Sequence, residues 1–391
     1  MHAPLLSHKV AQFAESVIRG MTIEARKHGA VNLAQGMPDF PAPAEVKAAA
    51  CEAIHADINQ YAVTWGSARL RQAIAEHYAA HAGMTIDPDR EITVVCGSTE
   101  AMLVALLSLT NPGDEVIVPE PFYENYWPDC VISGATPRFV PMRPPDWTFD
   151  REELARAFNE RTKAILLCNP NNPTGHVFSP AELNEIAALC QKWDVIAITD
   201  EIYEHILFDG AKHGTLALVD GMRDRTVTIS GMSKTYAVTG WRVGTMVAPP
   251  HLTRAFRQMH DFVSIGAAAP LQEAGVVAYH LPRAYYQQLA ADYQTRRDRL
   301  CPALLDIGFD LIPPQGAYYV MADFSAFVGD TPDDLAFARQ LVREIGVATV
   351  PGSSFFHHKD LGRRFVRFCF CKRDETLDDA IQRLRKLRAK V

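Results

Sequence analysis

No run of about 18 apolar residues occurs anywhere in the 391-residue chain, so no segment has the character of a membrane-spanning helix. No Cys-x-x-Cys pair is present, and none of the eight cysteines combines with histidines at zinc-ligand spacing, so no metal is expected. Cysteines scattered in this way read as thiols of a reducing compartment, and a cytoplasmic location is expected. Cys369 and Cys371, on one face of the strand-like "VRFCFC", read as core thiols, and the adjacent His357 and His358 as loop residues. Positive charge is not in excess. A net charge of −7 and a pI near 6.1 argue against nucleic acid or an anionic membrane as the main partner. Internal repeats, low-complexity segments and the short apolar core of a signal peptide are also missing. At the N-terminus, Val10, Phe13, Val17 and Met21 instead fall at the spacing of an amphipathic helix.

What the chain does have is alternation. Between about residues 90 and 250, "EITVVCG", "EVIVPEP", "TPRFVPM", "KAILLCNP", "DVIAITDE", "TVTISG" and "RVGTMVAPP" read as strands. Segments with helical spacing, such as "STEAMLVALLSL" and "SPAELNEIAALCQKW", lie between them. This pattern predicts an α/β fold, a mostly parallel sheet covered on both faces, with ligands at the carboxyl ends of the strands. From about residue 283 a long charged helical stretch leads into a smaller α+β unit. The expected division is an N-terminal arm at 1–45 that contributes to the small domain, a large domain at 46–285 and a small C-terminal domain at 286–391.

Four constellations fall at predicted strand ends. In "VVCGSTEAM" a helix starts at Ser98-Thr99-Glu100, where free N–H groups favour a phosphate, although Ser or Thr at such a place also serves as a simple cap. Neither a dinucleotide fingerprint nor a Walker lysine is present. "CNPNNPTG" is a rigid turn able to hold the Asn172 amide toward a ligand. In "ITDEIY", Asp200 closes an apolar strand and Tyr203 follows. A buried carboxylate there needs a cation, and a helix cap or structural ion pair explains it equally well. In "SGMSKTYAVTGWRVG", Lys234 sits among small residues ahead of Arg242. Desolvation or a neighbouring cation there would favour the neutral amine, the nucleophilic form.

Together with "NLAQGMPDFPAP", "NQYAVTWGSARLRQAIAEHY", "PQGAYY" and "VPGSSF", these motifs make the chain resemble the pyridoxal-phosphate-dependent aminotransferases of classes I and II (fold type I) over nearly its whole length. "INQYAVTWG" and "HDFVSIGAAAPLQEA" look closest to the methionine, aromatic and kynurenine branch.

The resemblance implies pyridoxal 5′-phosphate as cofactor and a role for each matched residue. Lys234 would bond the cofactor aldehyde and then shuttle the substrate Cα proton. Asp200 would pair with the pyridine nitrogen, Asn172 and Tyr203 with the ring oxygen, and Tyr123 would stack on the ring. Ser98, Thr99 and Arg242 would hold the phosphate, with Ser230 a possible further contact. Arg367 would grip the substrate carboxylate, and Gly36 would let substrate approach the backbone. Tyr61 would reach the phosphate in the neighbouring subunit of a homodimer.

Two positions depart from the pattern: Gly231 stands where many relatives have a phosphate-binding serine, and Phe356 where they often have glycine. The implied reaction is amino transfer from a large apolar donor (methionine, aromatic or similar) to a 2-oxo acid. Trp65, Phe40, Tyr123 and Phe355 are expected to face the substrate. A C–S β-lyase on the same scaffold is the alternative. A non-catalytic regulatory module would need a DNA-binding segment for which this acidic chain has no room, and a nicotinamide dehydrogenase would need the missing glycine fingerprint.

Overall fold

The computed structural model describes residues 7–328 and 332–388. Its strands, in chain order, are β1 (Val31–Asn32), β2 (Ile92–Val95), β3 (Glu115–Glu120), β4 (Thr136–Arg143), β5 (Thr148–Phe149), β6 (Thr162–Cys168), β7 (Ile196–Asp200), β8 (Thr226–Gly231), β9 (Gly244–Val247), β10 (Tyr319–Asp323), β11 (Val347–Ala348), β12 (Val350–Pro351) and β13 (Phe365–Cys369). Eight of them form one sheet in the order β2-β9-β8-β7-β6-β3-β4-β5. The pairings β8–β7, β7–β6, β6–β3 and β3–β4 are parallel, whereas β9 runs against both β2 and β8, and β5 against β4.

The continuous apolar runs have a structural cause. In β6, Ala164, Leu166 and Cys168 pack into the same core as Ala101 and Ala105 of the helix Ser98–Leu109. Their alternate neighbours Ile165 and Leu167 pack with Leu183 and Ile186 of the helix Pro180–Trp193. A strand buried on both faces has no polar face to alternate with.

A second, three-stranded antiparallel sheet has the order β10-β13-β12, and β1 pairs in parallel with β11. The 25-residue helix Arg283–Ile307 buries Tyr293, Leu300 and Leu304 in the core cluster that also holds Val320 of β10 and Val366 of β13. Among the described residues no helix is long and apolar enough to cross a membrane.

The N-terminal helix differs from its sequence pattern. Val10–Gln12 make only a 3-10 turn with nothing buried, and Phe13 is extended. The helix proper is Val17–His28, capped by the Ser16 side chain on the Arg19 N–H. The apolar spacing continues through this break, but a cap residue with a competing hydroxyl stops the backbone from doing so.

Candidate active site

The carboxyl ends of β2, β3, β6, β7 and β8 open onto one cavity of about 560 Å3. Ser98 and Thr99 enter its wall after β2, Tyr123 after β3, Asn172 after β6, Tyr203 after β7 beside Asp200 itself, and Lys234 after β8. Because β9 is antiparallel to β8, with Gly231 opposite Gly244, the residues leading into β9 arrive at the same end and bring Arg242 with them. Gly36, beyond β1, and Arg367, on β13, complete the wall. A side chain on Gly36 would collide with the Tyr319 ring, so glycine lets that tyrosine reach the cavity.

Burial sets the electrostatics. Asp200 is buried and has no ion-pair partner within 4 Å among the described residues. The Tyr126 hydroxyl donates to its Oδ2 at 2.8 Å and the Ile202 N–H to its Oδ1 at 3.3 Å. Desolvation still pushes the carboxyl above the ordinary carboxylate range, and these two hydrogen bonds only partly offset it. Burial likewise holds the Lys234 ammonium below its ordinary pKa. Arg242 and Arg367 act the same way, while Cys371 and Asp200 oppose them. The Tyr123 hydroxyl, also desolvated, is pushed up to about 12.

Arg367 is almost fully buried. Its Nη1 donates to Asn172 Oδ1 at 2.9 Å and its Nη2 to the Ala34 carbonyl at 2.6 Å. The guanidinium lies 4.2 Å from the Tyr319 ring centre and 4.7 Å from that of Phe355, and its Nε–H has no partner. The Tyr203 hydroxyl donates to that of Tyr319 at 3.1 Å.

Several expectations need correction. Ser230 donates to Glu204 at 2.6 Å and lies outside the cavity wall, so the hydroxyl is already engaged by a half-buried carboxyl. Trp65 instead packs under Arg257, Phe40 under Arg296, and Phe355 lies wholly in the core behind Arg367. Of the four aromatics expected at the substrate, only Tyr123 lines the cavity. Phe356 is buried as well and lies outside the cavity wall. Tyr61 is 84% exposed and away from this chain's own cavity. Three residues given no role from the sequence belong to the site: Tyr126 on Asp200, Tyr319 (the last residue of "PQGAYY") against Arg367, and Arg19 at the cavity wall. Their partners are distant in the chain, so only the fold brings them together.

The donor set fits a phosphorylated pyridine aldehyde. A helix N-terminus and Arg242 offer an anion site, and the Arg242 guanidinium lies where a Gly97 side chain would have to be. The buried Asp200, which has hydrogen bonds but no cation, suits a protonated ring nitrogen, and the desolvated Lys234 amine, its neutral form favoured, suits an aldehyde. Residues 28–384 match the family Aminotransferase class I and II. The chain belongs to that family.

Its members use pyridoxal 5′-phosphate, and this aminotransferase is therefore a transaminase of fold type I. It is 39% identical over 386 residues to a probable N-succinyldiaminopimelate aminotransferase of Mycobacterium tuberculosis, covering 96% of this chain and 97% of that one. To a kynurenine–oxoglutarate transaminase of Dictyostelium discoideum it is 36% identical over 418 residues, covering 98% and 96%. An Escherichia coli structure identified with a methionine aminotransferase function superposes with a TM-score of 0.93 at 33% identity, covering 98% of this chain and all of that one.

Proposed function

We propose that this aminotransferase takes the amino group of a large apolar or aromatic amino acid and passes it to a 2-oxo acid in a ping-pong exchange. The observation that carries this reading is the environment of Arg367. One buried guanidinium, framed by the Tyr319 and Phe355 rings, serves a single carboxylate, while Tyr123, Ile18, Ile202 and Met37 give an otherwise mixed wall the apolar surface that such a side chain requires. Burying an unpaired second carboxylate against such groups costs more than the roughly 2–7 kcal/mol of an unpaired neutral polar group, and so more than a methylene gains there.

Pyridoxal phosphate supplies the aldehyde that takes the amino group and the ring that spreads charge from the substrate Cα. In this reading Asp200, held by Tyr126 and Ile202, keeps the ring nitrogen protonated. Arg242, Ser98 and Thr99 hold the phosphate, Asn172 and Tyr203 the ring oxygen, and Tyr123 covers a face. Lys234, its ammonium already disfavoured by burial, serves as the amine that bonds the cofactor and moves the proton at Cα. Arg367 orients the substrate through its carboxylate in a charge-assisted fork.

The proposed working unit is a homodimer in the cytoplasm. Exposed Tyr61, Val63, Phe262 and Ile265 support the dimer, and eight unpaired thiols support the compartment. The test of substrate class is kcat/KM for methionine, phenylalanine, tryptophan, leucine, kynurenine and aspartate with one common oxo acid. The apolar and aromatic donors are expected to lead, and aspartate emerging as the best donor would overturn the reading.

A further inference from the structure

Among the described residues, three side chains outside the catalytic cavity combine metal-ligand chemistry with metal-ligand spacing: Glu201, Glu204 and His213, each offering an atom within 4.8 Å of the other two. The turn after β7 builds the group. Glu201 directly follows Asp200, and its N–H donates to the Ile229 carbonyl of β8 at 2.7 Å. Glu204 stands three residues on, its N–H donating to the Glu201 carbonyl at 2.9 Å. His213 returns from the following loop to place Nε2 2.7 Å from Glu201 Oε2. None of the three lines the catalytic cavity, whereas Glu204 and His213 line a second one of about 760 Å3.

An internal ion pair does not satisfy this group. Buried Glu201 accepts from Thr215 Oγ1 at 2.9 Å besides meeting His213, and half-buried Glu204 accepts from Ser230 Oγ at 2.6 Å. Two carboxylates thus share one imidazole. Even a protonated ring leaves a net negative charge away from bulk water, where an uncompensated charge is costly. Burial pushes the Glu204 carboxyl up to about 7. Burial also disfavours charge on His213, yet Glu201 and Glu204 outweigh it and raise that imidazole above its ordinary pKa. Both groups hold protons for want of a stronger cation. His213 adds an independent sign: with Nε2 on Glu201, its Nδ1 is buried without a hydrogen-bond partner. A proton there meets no acceptor, and a bare ring nitrogen is what a metal ion takes.

We propose that Glu201, Glu204 and His213 bind one divalent cation of the zinc class. Its two positive charges cancel those of the two carboxylates. An imidazole beside carboxylates suits zinc better than magnesium or calcium, which take oxygen ligands. Ligands ~2.1 Å from a tetrahedral zinc lie about 3.4 Å apart, so the close His213–Glu201 pair opens and the longer separations close by side-chain rotation. Three protein ligands leave a fourth position for water. The bound ion ties the turn after Asp200 to the loop carrying His213 and, through Glu204 and Ser230, to the end of β8. Two glutamates three apart with a histidine nine further on match no cysteine–histidine zinc spacing, which is why the sequence pattern carries no sign of a metal.

The test titrates zinc chloride into tag-free holoenzyme stripped with a chelator, followed by isothermal calorimetry and by Tm. One zinc per chain is expected, with Tm raised about 3–5 °C at roughly 100 times the measured Kd. Glu204→Gln and His213→Gln should each weaken zinc at least about 10-fold. Cobalt(II) should give the visible d–d bands of a four-coordinate ion in the wild type and not in either variant. His280→Gln, which breaks an exposed histidine pair with Glu76, should leave the affinity within about 2-fold. Binding that survives both variants, a stoichiometry far below one, or an equal loss in His280→Gln overturns the proposal and leaves the group a histidine–glutamate ion pair. If a variant fails to fold, the wild-type cobalt spectrum decides: bands that bleach on adding one equivalent of zinc support the site, and their absence overturns it.

Discussion

Replacing Asp200 with asparagine should make the protein more stable without cofactor and far less active with it. The carboxylate is buried at the end of β7 with no cation in contact, and desolvation raises its pKa. Asparagine keeps the shape and the hydrogen bonds: its carbonyl can accept the Ile202 N–H, and its amide can donate to the Tyr126 hydroxyl, which accepts as readily as it donates. What disappears is the buried charge.

The sign follows from linkage. A group whose folded pKa is raised costs nothing below its unfolded value near 3.8, and it weakens the fold as pH climbs through the folded value. The cofactor-free variant should therefore match the wild type in acid and exceed it at neutral pH, each kcal/mol regained adding roughly 2 °C to Tm. Turnover should move the other way. An amide cannot hold the cofactor's ring nitrogen protonated, and loss of a preorganised contact of this kind raises a barrier by ~3 kcal/mol, about two orders of magnitude in kcat. Differential scanning fluorimetry across pH, with and without pyridoxal phosphate, reads the first effect, and single-turnover amino transfer the second. A variant within twofold of wild-type kcat, or one less stable than wild type without cofactor at neutral pH, refutes the assignment.

Lys234→Ala should abolish turnover and the borohydride-reducible yellow colour while still binding cofactor, as equilibrium dialysis would show. Mixed with a chain carrying Tyr61→Ala alone, it should regain activity through hybrid sites that combine Lys234 and Arg242 of that chain with Tyr61 of the Lys234→Ala chain, and a fully active monomer in light scattering would contradict the dimer. Glu204, half-buried beside Ser230, has its pKa raised to about 7 by desolvation, so Glu204→Gln should gain stability above about pH 7 and none below about pH 4.5, read by urea unfolding at several pH values. Gly231→Ser should cost ~1–3 kcal/mol in the same assay, because its Cβ would sit 2.8 Å from Gly244 Cα and from the Val243 carbonyl.

All seven strands read between residues 90 and 250 are present; six are buried almost throughout, which leaves an apolar run that needs no context to recognise, whereas β4 is largely exposed and alternates instead. β1 and β5, two residues each, are too short to carry any period and exist through pairing with β11 and β4. The N-terminal pattern misled for the opposite reason, since spacing persisted across a backbone break at Phe13–Ser16. Within the site, Lys234, Asp200, Asn172 and the Ser98 turn were legible as interruptions of apolar strands. Arg367 stood out only through resemblance, because a guanidinium in "VRFCFC" looks locally like one polar residue of a strand. Tyr126 reaches Asp200 across 74 residues and Tyr319 reaches Tyr203 across 116, distances at which a sequence holds no local trace.

The glycine at 231 shows steric crowding deciding a position where chemistry alone would suggest serine. Gly231 pairs with Gly244 at the end of β8, and Gly244 pairs with Val95 at the end of β2. A Cβ on Gly244 would lie 2.7 Å from both Gly97 Cα and the Ser98 nitrogen, and one on Gly231 would meet Gly244 itself. Three backbones thus converge without side chains, and the convergence carries the start of the helix Ser98–Leu109, the Arg242 guanidinium and the Lys234 turn into one cavity. A serine at 231 would add a hydroxyl for phosphate at the cost of forcing β8 from β9, and with that displacement the other phosphate donors would move too. The neighbouring hydroxyl of Ser230 offers no substitute, because Glu204 holds it on the far side of the strand end. The proposed phosphate contacts therefore fall to Ser98, Thr99 and Arg242, which the glycines bring together.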